Sequence, residues 1–119
     1  MSVELNDLYN VGVNVAKVSN IEFFTSAIEK DPENTFARYS LAMEHRKTGD
    51  LATALATFNA LIEHTPDYVA AYLMAAQVAV GLDDEDQAID IINRGIEAAK
   101  TEKNDHAASE LADLLETLE

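Results

Sequence analysis

The residues with the widest chemical reach in this chain are three histidines, His45, His64 and His106, and one acidic run, Asp83-Asp84-Glu85-Asp86. The histidines fall in three separate stretches of the chain, so no pair has the i, i+4 spacing that puts two ligands on one helix face. The acidic run could draw a divalent cation, yet it lacks the spaced oxygen ligands and the glycine of a calcium loop. It reads as a solvated turn that also caps a helix. There is no cysteine, which excludes disulfides and thiol catalysis. A glycine-rich phosphate loop, an H-E-x-x-H pair and a nucleophile elbow are all missing. The expectation is a protein that is not an enzyme, with no cofactor and no metal site.

Charge narrows the partners. The 119 residues carry 22 acids and 8 bases, a net charge of −14. Nucleic acid and anionic membranes both repel such a surface, so neither is expected as a partner. The acids are unevenly spread: residues 80–119 hold 12 acids and 3 bases, residues 1–79 hold 10 and 5. That C-terminal excess reads as a solubilising face, or more sharply as a docking face for a basic partner. The N-terminal stretch MSVELNDLYN has no basic run ahead of its apolar residues, unlike a signal peptide, and no apolar run nears the ~20 residues of a membrane span. A soluble, cytoplasmic protein is expected.

The elements that must position these residues announce themselves by a period. The two prolines, Pro32 and Pro66, mark out a 34-residue interval. At the same offset Ala42 pairs with Ala76, Asp50 with Asp84, Ala54 with Ala88, Leu55 with Ile89, Phe58 with Ile92, and Ile62 with Ile96. Seven matches in one register indicate a tandem repeat, and a repeat of this length points to stacked helix–turn–helix units. Between Phe36 and Arg46, one helix face holds Leu41, Ala42 and His45, which should pack inward, and another holds Phe36, Tyr39 and Met43. Lys47-Thr48-Gly49-Asp50 breaks the helix: Gly49 suits a left-handed C-terminal residue and Asp50 the next N-cap. Leu51, Ala54, Leu55, Phe58, Leu61 and Ile62 then recur at helical spacing. Thr65-Pro66-Asp67 ends that helix, with Asp67 placed to cap the next, and Asp84-x-x-Gln87 resembles a capping box at the following corner.

This pattern resembles the tetratricopeptide repeat, W-x₂-L-G-x₂-Y, then A-x₃-F, then P. Unit one offers Arg38, Leu41, Ala42 and His45, then Ala54 and Phe58, then Pro66; unit two offers Tyr72, Ala75, Ala76 and Ala79, then Ala88 and Ile92, then Lys100. There is no Trp, the Gly is Ala twice, and the last Pro is Lys. His45 takes a slot where the family often has Tyr, which implies a packed side chain. RYSLAMEHRKTGD and PDYVAAY also resemble small free-standing bacterial proteins of about two such repeats. The resemblance implies an all-α, right-handed helical-hairpin solenoid covering residues 21–119, with a partial repeat at 21–34, repeat one at 35–68, repeat two at 69–102 and a capping helix at 105–119.

Two repeats leave apolar faces at their ends, which need covers. DHAASELADLLETLE supplies one, with Ala108, Leu111, Ala112, Leu115 and Leu118 on one stripe and Glu110, Asp113 and Glu116 opposite. At the other end Phe24, Ala27, Ile28 and Pro32 stand one period before Phe58, Leu61, Ile62 and Pro66, so residues 21–31 look like the second helix of an earlier repeat. Ser19-x-x-Glu22 would start it as a capping box. Residues 1–20 read as a leader or a degenerate first helix, with Leu8, Val11, Gly12 and Val15 facing in; Val11, Val13 and Val15 also alternate as a strand would.

By the same resemblance, the first helix of each pair lines a concave groove. The groove-facing set is then Phe36, Tyr39, Met43, Arg46 and Lys47, followed by Ala70, Leu73, Met74, Gln77 and Val80. Relatives that dock on chaperone C-termini grip a carboxylate there with Lys, Asn and Arg; Tyr39, Met43, Ala70 and Met74 stand at the matching places, so no carboxylate clamp is expected. Only Arg46 and Lys47 bring positive charge to the rim. The expected function is protein–protein interaction, burying an apolar or amphipathic peptide or helix in the groove. The alternative is self-association, a homodimer through the groove or an uncapped end.

Overall fold

Short polar turns cut the chain into helices of 13 to 19 residues. The computed structural model describes the backbone of residues 12–119 and the side chains of residues 20–119. The helices are α1 (Gly12–Lys30), α2 (Thr35–Lys47), α3 (Leu51–His64), α4 (Val69–Gly81), α5 (Glu85–Thr101) and α6 (Asp105–Leu118). No strand occurs among the described residues. Each helix packs on the next in sequence, and α6 also touches α4. The result is the all-α solenoid of helical hairpins that the 34-residue period predicts: α2–α3 is one hairpin, α4–α5 the next, and α6 follows, packed on α5 and α4.

Capping explains where most helices begin. The side-chain oxygens of Asn34, Asp50, Asp84 and Asn104 accept the backbone N–H three residues on, at 3.0–3.2 Å. Each satisfies one N–H that the first turn leaves without a partner. Gln87 reaches back to Asp84, donating Nε2–H to Oδ2 at 2.9 Å rather than to the backbone. One expected cap is corrected: α4 starts from Tyr68 without a side-chain cap bond, because the helix begins one residue later than a cap at Asp67 requires. The helix ends share a device too. Gly49 (φ 88°), Asp83 (φ 59°) and Lys103 (φ 58°) take left-handed conformations. In each case the next residue's N–H bonds back to a carbonyl of the last turn, at 2.8–3.0 Å, which closes the corner.

Small residues set how closely the helices approach. Ala42, Ala54, Ala76 and Ala88, which the period pairs with one another, are all fully buried. Around them Phe58, Leu61, Ile62, Ile91, Ile92 and Leu111 are shut off from solvent, each contributing roughly 1.5–3 kcal/mol by burial. Of the face expected to pack inward on α2, Ala42 is buried while Leu41 and His45 are half-buried. On α6 the stripe is Leu111 at the centre with Ala107, Ala108, Leu114, Leu115 and Leu118 flanking; Ala112, expected in it, is exposed, on a side that no described helix covers.

The N-terminal end departs most from expectation. Helix α1 runs unbroken through Ser19 and Glu22, so that pair lies inside a helix rather than at its start, and Val13 and Val15 are helical rather than extended. A turn before residue 21 would have required a breaker, and Ser19-Asn20 is not one strong enough. The inward facing expected of Leu8, Val11, Gly12 and Val15 lies outside the described residues and side chains.

Candidate partner-binding site

The last turn of α2 is joined to the middle of α4 by one long side chain, Arg46. The Arg46 guanidinium donates to Gln77 Oε1 at 3.0 Å and reaches Met74 Sδ, also at 3.0 Å. Arg46 is half-buried, and its bridge fixes the register of the two helices. Lys47, next to it, is exposed.

Along this shared face Tyr39, Met43, Leu73, Met74 and Val80 pack against the core yet stay partly open to solvent. Tyr39 is held from two sides, its ring 6.0 Å from Phe58 edge-on and 5.5 Å from Tyr68. Burial pushes the Tyr39 phenol above its usual range, the neighbouring Tyr68 adds to this, and Arg46 works against it. The phenol is therefore a neutral donor and acceptor at neutral pH. Beyond Tyr39, Phe36 is 69% exposed and Ala70 is exposed. Met43, Arg46 and Lys47 border a shallow recess of about 360 Å³ with Glu44, whose Oε2 is buried and has no hydrogen-bond partner.

Several of these features escape sequence reasoning. Phe36 meets Phe24 of α1 edge-on at 6.4 Å, and Phe24 meets Phe23 at 5.4 Å, so an aromatic row joins α2 to α1. Phe23 is 67% exposed. Its signal is the FF pair at residues 23–24, of which only Phe24 falls on the repeat register. Tyr68 escapes because sequence reasoning places the cap at Asp67 and begins the groove-facing set of this helix at Ala70.

At the far end of α4, Val80 borders a second recess of about 400 Å³ walled by Asp83, Asp84, Glu85 and Asp86. All four acids are exposed, and none forms an ion pair among the described residues. The histidines stay apart, on α2, at the end of α3 and on α6. His64 meets Glu33 at 3.0 Å and His106 meets Glu110 at 2.9 Å. No group of three or more His, Cys, Asp or Glu side chains that could hold a metal ion occurs among the described residues. No described helix is long and apolar enough to cross a membrane.

A solenoid of helical hairpins presenting an apolar face on successive first helices defines a class of repeat protein built for contact with other chains. A family model described as tetratricopeptide repeat matches residues 45–111, more than half of the sequence. The chain belongs to the tetratricopeptide repeat family. A tetratricopeptide repeat domain protein from Salinibacter ruber, solved in solution, is 43% identical, with 75% of this chain and 90% of that one covered at a TM-score of 0.70. A crystal structure of a Salinibacter ruber tetratricopeptide repeat domain protein gives 40% identity, coverage of 71% and 94%, and a TM-score of 0.67. PcrH in complex with the chaperone binding region of PopD shares the fold over 99% of this chain and 92% of that one, at a TM-score of 0.75 and 17% identity. No curated protein matches in sequence. The fold supports a protein–protein interaction module with a protein or peptide as partner.

Proposed function

We propose that the protein is a non-catalytic docking module that holds an apolar or amphipathic peptide or helix in the groove lined by α2 and α4. The carrying observation is the row Tyr39, Met43, Leu73, Met74 and Val80, anchored on the core but open on one side. Side chains held in this way lose little freedom when a ligand arrives, and aromatic and methionine surfaces make adaptable anchors. The grip of PcrH on a segment of PopD supports the reading by analogy of fold. Replacing Tyr39 and Met43 together by Glu tests it. Both positions are partly open, so the variant should stay folded with its helix content intact, although the loss of their packing on the core should lower its melting temperature. Binding to a partner found by pulldown should vanish, because a charge would face an apolar ligand without a counter-ion. Unfolding of the variant would instead make these residues core and end the proposal.

The exposed rings of Phe23 and Phe36 favour a second reading, self-association at the α1–α2 edge. Light scattering at rising concentration decides it: a dimer that Phe23→Ser and Phe36→Ser convert to monomer would support it.

A further inference from the structure

The groove is graded in charge across its helices, and the grade points to the chemistry of the occupant. The helix caps set a common register: Asn34, Tyr68 and Asn104 precede α2, α4 and α6. Counted from these caps, Met74 and Gln77 of α4 correspond to Glu110 and Asp113 of α6, and Arg46 and Val80 correspond to Glu116. Helix α6 packs on α4 as well as α5, so it continues the row of first helices. The residues that it adds to the groove side are therefore Glu110, Asp113 and Glu116, opposite the Leu111 that it buries.

The floor thus changes from Tyr39 and Met43 on α2, through Leu73, Met74 and Val80 on α4, to carboxylates on α6. The recess of Asp83–Asp86 opens beside Val80 at the boundary. Asp113 and Glu116 have no ion-pair partner among the described residues, and Glu110 meets only His106. Of the positive groups, Lys47 is exposed on α2, and the Arg46 guanidinium reaches from α2 to Met74 and Gln77 of α4.

We propose that the occupant of the groove is a basic amphipathic segment lying across the first helices, its apolar side chains over α2 and α4 and its Lys or Arg side chains toward α6 and the Asp83–Asp86 turn. The inference rests on the groove-binding reading above and adds the partner's charge and direction. Charge complementarity argues for it, and a second copy of this chain, net −14, is disfavoured as occupant. The grade also sets one orientation, since reversal would put cations against Arg46 and Lys47.

The test uses three labelled synthetic peptides of about eighteen residues, long enough to form an amphipathic helix. They share a leucine face and differ only in four terminal positions, which are Lys, Gln or Glu. Fluorescence anisotropy should rank their affinities Lys over Gln over Glu, with Lys ahead of Gln by about tenfold at low salt and the gap closing as salt rises. The triple variant Glu110→Gln, Asp113→Gln, Glu116→Gln should bring the Lys peptide to the Gln level and leave the Gln peptide unmoved. Circular dichroism checks that α6 survives, and the variant Asp83→Asn, Glu85→Gln, Asp86→Asn, which spares the Asp84 cap, should act in the same direction. Equal binding of the Lys and Gln peptides, or no effect of either variant, overturns the charge grade while the groove reading stands. If no peptide binds, both fall.

Discussion

The two full hairpins solve one packing problem with opposite distributions of volume. In the second, Gly95 lies against Tyr72, and a Cβ added at Gly95 would stand 2.6 Å from Tyr72 Cβ and 3.0 Å from Leu111 Cδ1. In the first, the positions one period earlier are Leu61, fully buried, and Arg38, half-buried. The large apolar side chain sits on the second helix in one hairpin and on the first in the other. The polar ends nevertheless do the same job. Arg38 donates to the Pro32 carbonyl at 3.1 and 3.2 Å, and Tyr72 donates to the Pro66 carbonyl at 2.6 Å. The period is therefore kept in geometry where it is lost in residue type, which is how a repeat survives with neither Trp nor Gly at its signature places.

Leu61→Ala and Gly95→Ala probe that division from both sides. Leu61→Ala removes a fully buried side chain that the first hairpin depends on, and about 2–5 kcal/mol should be lost. Gly95→Ala overpacks the second. Its new methyl meets a Cβ fixed to the backbone, which cannot swing away, so about 1–3 kcal/mol should be lost despite the better helix propensity of Ala. Chemical denaturation measures both. A Gly95→Ala variant as stable as the parent would mean that α4 and α5 are not in close contact there and that the two hairpins do not differ in this way.

Removing the Tyr72 hydroxyl is a milder cut. Tyr72→Phe keeps the ring over Gly95 and loses one hydrogen bond, so about 0.5–1.5 kcal/mol should go. Burial raises the Tyr72 phenol above its ordinary pKa of 10.0. Its stabilising contribution is then complete below that value and is lost as pH rises through the raised folded value, because the unfolded chain ionises first. Melting curves in alkali should show the parent falling more steeply than Tyr72→Phe. Parallel curves would place the alkaline loss elsewhere.

How much of this is legible in the sequence follows the same division. The solenoid, its corners and its close-packed alanines are readable, because a period states which residues must be equivalent whatever their type. The Asp67 cap is misplaced because a one-residue shift in a helix start leaves the pattern intact. Ser19 misleads because a capping signature only marks a helix start if something breaks the chain before it. The Arg46–Gln77 bridge and the Phe23–Phe24–Phe36 row join different helices through side-chain direction, which spacing along one helix does not encode. The charge on α6 is visible as composition, but its place beside α4 needs the fold.

The smallest effect comes from the corners, where the hairpins again match in geometry and differ in residue. Gly49 and Asp83 are equivalent by the period and both left-handed, with φ of 88° and 59°. Gly adopts that region freely; Asp carries a Cβ and is strained there, although less than most residues. Exchange should therefore work in opposite directions. Gly49→Ala has open space around its new methyl, so steric contact adds nothing and the backbone alone should cost about 1 kcal/mol. Asp83→Gly should gain a few tenths to about 1 kcal/mol by relieving that strain, offset in part by the freer unfolded chain. Melting temperatures on either side of the parent would confirm that both corners are the same turn. If Asp83→Gly lowers the melting temperature instead, the aspartate is held there by a contact that its exposure does not suggest, and the two corners are not equivalent.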